Sequence, residues 1–198
     1  MTAQKLLLAT TNPGKLEELY DLLREAPIDL TDPARLGLAL EVVEDGADYA
    51  ENAGLKATAF ASASGLPALA DDTGLEVDAL GGAPGLHSRR VAATDEARRR
   101  RLLAALAPHP RPWRASFRCA MALAVPGEPF SISYGACSGE IQPVARGQGG
   151  FGYDPLFLVD GTTQTMAELS LREKNLRSHR ARALQALKPR LLALLLPD

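Results

Sequence analysis

Lys5-Leu6-Leu7-Leu8-Ala9-Thr10-Thr11-Asn12-Pro13-Gly14-Lys15 is the stretch whose reading decides the fold. Its first half is a short apolar run with no helical period, the signature of a buried strand. The run stops at Asn12-Pro13-Gly14-Lys15. Asn12 is a good helix N-cap, and Pro13 suits the first helical position because its missing N–H would have no partner there. Leu16, Leu19, Tyr20 and Leu23 then repeat at helical spacing. The chain therefore opens strand, tight turn, helix, the unit from which α/β sheets are built.

Working outward, Asp48 and Glu51 have capping-box spacing, and Ala53, Ala57, Phe60, Ala61 and Ser64 mark one packed face of a second helix ended by Gly65-Leu66-Pro67. Ala68-Leu69-Ala70 is a short strand leading into Asp71-Asp72-Thr73-Gly74, with extended chain beyond it. Gly81 to Gly85 reads as a loop. Thr94 caps a third helix with Asp95 and Glu96 in its first turn, and its run Arg98 to Arg101 reads as a solvated face. Phe117, Cys119, Met121, Leu123 and Val125 alternate with Arg118 and three alanines, so this is a long strand. Pro126-Gly127-Glu128-Pro129 turns it back into a second strand bearing Phe130, Ile132 and Tyr134, a hairpin. A Gly-rich loop from Gly147 to Gly152 precedes a strand over Pro155 to Val159. Thr165 and Glu168 form another capping box, a helix starts after Ser178, and Pro189 is expected to kink or divide it. Hairpins mixed with strand–helix units predict an α/β fold on a mixed sheet.

The chain has 198 residues, which suits one domain, with two small lobes possible. A net charge of −2 gives no global field for nucleic acid or an anionic membrane, so phosphate binding must come from a local arrangement. Aromatics are only 5%, so the core must be built mainly from Leu, Val and Ala. Cys119 and Cys137 fall in strand-like stretches without metal or disulfide spacing and read as reduced core residues. Met1 to Leu8 is no signal peptide, and Leu191 to Leu196 is too short to span a bilayer. A soluble cytoplasmic protein is expected.

Four segments carry chemistry. Thr10 to Lys15 puts hydroxyls, free backbone N–H groups and an ammonium at a helix N-terminus, a natural cradle for phosphate, or equally a capped helix with an exposed lysine. Asp71-Asp72-Thr73 places two carboxylates side by side, which repel unless a cation is near. Their alternation on a strand aims only one of them into any given site. Hard oxygen ligands of this kind suit Mg²⁺, with Glu44 as a further carboxylate. Glycines flank Phe151 in Gly149-Gly150-Phe151-Gly152-Tyr153-Asp154, letting a flat ligand approach the backbone. Lys174 with Ser178-His179-Arg180 gathers donors near a helix start. No second histidine stands at zinc spacing from His179.

Taken in order, these segments resemble the inosine triphosphate pyrophosphatase family from Lys5 to about Leu187. The resemblance is carried by Ala9 to Lys15, Glu51-Asn52-Ala53 with Lys56-Ala57, Ala70 to Leu75, Gly81 to Gly85, Gly149 to Pro155, and Ser178-His179-Arg180. It implies a homodimer of elongated two-lobed subunits, each a single domain over residues 1–198 on a long mixed sheet with flanking helices. It implies Mg²⁺, and hydrolysis of ITP, dITP or XTP to the monophosphate and pyrophosphate. Carried over by position, Thr10, Thr11, Asn12, Pro13, Gly14, Lys15 and Lys56 hold the triphosphate. Glu44 and Asp72 belong to the metal site, and Asp72 is also the proton acceptor. Thr73 contacts substrate, and Phe151, Gly152, Tyr153, Asp154, Lys174, His179 and Arg180 form the base pocket. Around Ser88 the chain reads His87-Ser88-Arg89-Arg90, where the family often has a tyrosine and a small residue. A septum-inhibitor-like nucleotide pyrophosphatase and a non-catalytic nucleotide sensor are the rival readings.

Overall fold

Three consecutive leucines, Leu6, Leu7 and Leu8, are fully buried, as in a strand covered on both faces. The computed structural model describes residues 4–195; Met1 to Ala3 of the expected non-signal stretch and Leu196 of the C-terminal leucine run lie outside it. The elements in order are β1 (Lys5–Leu8), α1 (Pro13–Leu23), β2 (Asp29–Thr31), α2 (Tyr49–Ser64), β3 (Ala68–Val77), β4 (Pro84–Gly85), α3 (Asp95–Leu106), β5 (Trp113–Ala124), β6 (Ser131–Ile141), β7 (Phe157–Val159), α4 (Leu171–Arg177) and α5 (His179–Leu195). The strand order is β2-β1-β3-β5-β6-β7, with β4 paired to β3. β1 runs parallel to β2 and β3, while β3–β4 and β6–β7 are antiparallel, so the sheet is mixed.

The chain divides into two compact units. The first comprises residues 1–72, 119–135 and 180–198, and the second 73–118 and 136–179, so β3, β5 and β6 each have residues in both.

In the first unit the two-residue period of the strands sorts side chains onto two faces. Leu6, Leu8, Leu69, Cys119, Met121 and Leu123 pack with Leu19 and Leu23 of α1 and Leu184, Leu187 and Leu191 of α5. Leu7, Ala9, Ala68, Ala70, Ala120, Ala122 and Ala124 pack with Ala53, Ala57, Phe60 and Ala61 of α2. One face is leucine and the other alanine, so α2 lies close to the strands. That closeness matters below, because Asp71 and Asp72 inherit the same alternation. In the second unit, Leu75, Val77, Trp113, Phe117, Ile141 and Phe157 form a core with Leu102 and Leu106 of α3. Cys119 and Cys137 are buried thiols outside any disulfide.

Several expected boundaries shift. β3 is one strand through the Asp pair rather than a short strand ending at Ala70. Pro84 and Gly85 leave the loop to pair with Glu76 and Leu75. Thr165 and Glu168 make a hydrogen-bonded turn, Thr165 N–H donating to Glu168 Oε2 at 2.7 Å; the helix starts one turn later under a full capping box of Ser170 and Glu173. Pro155 and Leu156 belong to a 3-10 turn before β7. α5 runs unbroken through Pro189. The strand β2 has no counterpart in the sequence reading, because Asp29-Leu30-Thr31 is too short to show alternation. The Arg98 to Arg101 run is not simply solvated: Arg98 Nε donates to Ala92 O at 2.8 Å, Arg99 Nη1 to Gly152 O at 2.7 Å, and Arg101 to Val91 O.

Candidate active site

Asp71 and Asp72 point to opposite faces of β3. Asp71 follows Leu69 to the α1/α5 face, and Asp72 follows Ala70 to the α2 face. The two carboxylates therefore meet different partners, and their acidities shift in opposite directions.

Asp71 is fully buried in an ion cluster. Arg180 Nε and Nη2 both donate to its Oδ2, at 3.0 and 2.8 Å. Lys15 Nζ lies 3.1 Å from the same oxygen and donates to the Asp71 carbonyl at 3.2 Å. Arg180 also bonds Glu18 Oε2, one turn along α1 from Lys15. Burial alone would raise the Asp71 carboxyl, but Arg180 and then Lys15 hold it below the ordinary carboxylate range. Burial also lowers the Lys15 ammonium, with Asp71 opposing that shift.

Asp72 is met by two residues one turn apart on α2. Asn52 Nδ2 donates to its Oδ2 and Lys56 Nζ to its Oδ1, both at 3.3 Å. Lys56 Nζ also lies 3.2 Å from Glu44 Oε1, so one ammonium bridges the two carboxylates. Burial raises the Asp72 carboxyl above its ordinary value, Lys56 and Lys15 offsetting this only in part and Glu44 adding to it. Asn52 holds the loop that brings Glu44 in: its Oδ1 accepts the Gly46 N–H at 2.9 Å. A Cβ on Gly46 would stand 2.7 Å from the Glu51 Cβ, so only glycine fits beneath that bond.

At the start of α1, Asn12 Oδ1 accepts the Lys15 N–H at 3.1 Å, and Thr10 Oγ1 accepts the Asn12 N–H at 3.2 Å. Pro13 sits at the head of the helix, and Thr11 is exposed. The first unit thus brings Lys15 to Asp71, and Glu44, Lys56 and Asp72 to one another.

The second unit holds the other expected residues. Phe151 is half-buried, with Lys174 Nζ 4.9 Å from its ring centroid. Lys174 pairs with Asp154 Oδ2 at 2.6 Å, and the same oxygen accepts the Phe151 N–H at 2.9 Å. His179 is buried and stacks on Phe117, centroids 4.9 Å apart and planes 14° from parallel. Thr73 is half-buried on β3.

Two side chains expected in the base pocket are engaged within their own units. Tyr153 packs into the core of the second unit and donates its hydroxyl to Ser88 O at 3.0 Å. Arg180 is fully buried in the Asp71–Glu18 cluster of the first unit. Ser88 is itself a junction: its hydroxyl donates to Gly85 O at 2.6 Å and accepts the Leu75 N–H at 2.9 Å, which explains a serine amid otherwise exposed His87, Arg89 and Arg90. Glu18 and Asn52 were missed as site residues. Their signal was helical spacing, Glu18 three residues after Lys15 and Asn52 four before Lys56.

Residues 6–190 match the model of the Ham1 family. A dITP/XTP pyrophosphatase of Syntrophobacter fumaroxidans is 49% identical over 186 residues, covering 92% of this chain and 80% of the relative. One of Methylococcus capsulatus is 47% identical over 197 residues, covering 96% and 98%. A HAM1 protein from Coxiella burnetii superposes with a TM-score of 0.84 at 40% identity, covering 96% of this chain and 99% of that one. Among the described residues no helix is long and apolar enough to cross a membrane.

Proposed function

Since this chain belongs to the Ham1 family, we propose that it hydrolyses non-standard purine nucleoside triphosphates of the dITP, XTP and ITP type to the nucleoside monophosphate and pyrophosphate. The observation that supports this most is the bridging of Glu44 and Asp72 by the Lys56 ammonium. Two carboxylates already arranged around one positive charge, one of them largely desolvated, are a donor set that a hard divalent cation fits. Glu44 and Asp72 would hold Mg²⁺. When bound, Mg²⁺ withdraws charge from phosphate oxygens.

The remaining chemistry falls to the protein. Thr10 and Thr11 offer hydroxyls and Gly14, at the N-terminus of α1 set by Asn12 and Pro13, offers its N–H to phosphate oxygens. Lys15 and Lys56 neutralise charge on the triphosphate, more strongly as it develops on the leaving pyrophosphate. Asp72 orients the attacking water and takes its proton. The water oxygen bonds to the α-phosphorus, the α–β anhydride bond breaks, and the electron pair leaves on pyrophosphate. Thr73, next in the strand to Asp72, contacts substrate. Arg180, expected in the base pocket, also fixes Lys15 through Asp71.

In the second unit, the Phe151 ring offers a stacking face, with Gly152 giving it room. Lys174, held by Asp154, and His179 supply donors suited to a 6-oxo group. An adenine 6-amino group would leave such a donor unpaired, at roughly 1–3 kcal/mol or more if charged. The working form is a cytoplasmic homodimer, its two-lobed subunit being a single domain.

Hydrolysis of ITP with Mg²⁺ in ¹⁸O-labelled water tests the reading. The label should enter the monophosphate and not pyrophosphate. Inosine diphosphate and orthophosphate as first products, or ATP turned over as fast as ITP, would exclude it. A pyrimidine preference would favour the septum-inhibitor-like reading, and nucleotide binding without turnover the sensor.

A further inference from the structure

We propose that Asp95 and Arg99 of α3, outside the expected site, are positioning residues that set the base-reading loop through Gly152. The inference rests on the base-reading role given above to Phe151.

Gly152 has φ +62°, a left-handed conformation that favours glycine, so this position has no side chain by which it can be held. It is held instead by both sides of its backbone. Its N–H donates to Asp95 Oδ2 at 2.7 Å, and its carbonyl accepts from Arg99 Nη1 at 2.7 Å. Asp95 and Arg99 are four residues apart, one turn along the same helix face, which is the spacing needed to reach two ends of one residue. Both bonds involve a charged group and are stronger than neutral ones.

The clamp is itself fixed. Asp95 is the first residue of α3, under the Thr94 cap, and its Oδ1 pairs with Arg98. Arg98 Nε donates in turn to Ala92 O. Leu102 and Leu106 anchor the helix in the core of the second unit. On the other side of the loop, Asp154 takes the Phe151 N–H and Lys174 faces the ring. Phe151 therefore lies between two charged anchors, with its ring still half-exposed. A ring ordered before binding costs less to immobilise on binding. Loss of the clamp should thus appear in KM and in base discrimination. The water-activating carboxylate and the triphosphate lysines belong to the first unit, so kcat should hold.

The test is steady-state kinetics with ITP and ATP on the wild type, Asp95→Ala, Arg99→Ala, the double variant, Arg99→Lys and the exposed neighbour Arg100→Ala, each with a melting temperature. Each single alanine variant should raise KM for ITP about tenfold, the effect of losing one charge-assisted hydrogen bond, and lower the ITP-to-ATP ratio of kcat/KM by a similar factor. Its kcat should stay within about threefold. The double variant should be little worse than either single one, because both bonds hold one residue. Arg99→Lys should recover part of the loss, and Arg100→Ala should match the wild type. Unchanged KM and discrimination with only a lower melting temperature would overturn the proposal, as would a loss confined to kcat. Should Asp95→Ala fail to fold, the Arg99 pair decides alone. A wild type that does not prefer ITP to ATP would instead overturn the base-reading role itself.

Discussion

Arg180 and Asp71 are joined through one oxygen: Nε and Nη2 of the guanidinium both donate to Asp71 Oδ2, at 3.0 and 2.8 Å. Among the described residues the other oxygen, Oδ1, takes no hydrogen bond, so the carboxylate is tied at a single point shared with Lys15. The pair docks the second residue of α5 onto the central strand of the first unit. It also sets Lys15, whose ammonium would otherwise be a buried charge beside two cations.

Arg180→Ala is expected to leave Asp71 and Glu18 buried without their main counter-charge, a loss of about 3–5 kcal/mol. Urea unfolding should show it, and a variant of near wild-type stability would show that the cluster is solvated. The pH dependence follows from the depressed Asp71 carboxyl. A folded value below the ordinary 3.8 adds stability above that value and loses it as pH falls through the folded one. The stability gap between wild type and Asp71→Asn should therefore be flat from about pH 5 to pH 8 and narrow below about pH 4.

Much of the first unit was legible because its code is binary. The alternation of Cys119, Met121 and Leu123 with Ala120, Ala122 and Ala124 fixes which strand face meets α2, and Asn12-Pro13 marks the start of α1 without ambiguity. The Asp pair could be read as one carboxylate per face by the same period. What could not be read was the partner on each face. Glu18 reaches Arg180 from 162 residues away, a pairing that no local pattern encodes. Arg180 carried the sequence signature of a donor near a helix start, and only burial shows that its donors are spent inside the fold. The arginine run of α3 was opaque for the opposite reason. Composition shows a solvated helix, and three of its four guanidiniums end on backbone carbonyls.

Lys56 bridges Glu44 and Asp72, so removing its charge leaves two carboxylates facing each other across the same space. Lys56→Gln should lower the melting temperature in metal-free buffer, and added Mg²⁺ should restore more of it than in the wild type, because a divalent cation relieves the repulsion. Activity should fall at least ~10²-fold through the lost phosphate contact. Equal Mg²⁺ shifts in melting temperature for the two proteins would place the metal elsewhere.

Phe151→Ala removes a half-exposed ring that no core cluster contains. Stacking of a base on an aromatic ring is worth about 1–3 kcal/mol, so KM for ITP should rise roughly tenfold or more while the Mg²⁺ dependence stays as it was. If KM holds and the protein merely melts at a lower temperature, the ring serves packing and not the base.

The two adjacent aspartates should respond oppositely to the same change. Asp71→Asn removes a charge that Arg180 and Lys15 require, so it is expected to destabilise. Asp72→Asn removes a charge that burial already disfavours: its raised carboxyl means that ionisation costs stability, fully so once the pH is above the folded value. The asparagine keeps the shape, and its one carbonyl oxygen can still accept from Lys56 at the loss of the long Asn52 bond, so at neutral pH the variant should be about as stable as the wild type. Activity should move the other way. Without a carboxylate to take the water's proton, kcat should drop at least ~10²-fold. Differential scanning fluorimetry beside ITP turnover reads both. A stable, inactive Asp72→Asn assigns this carboxylate to chemistry rather than folding, whereas near wild-type turnover would move the proton acceptor to another residue.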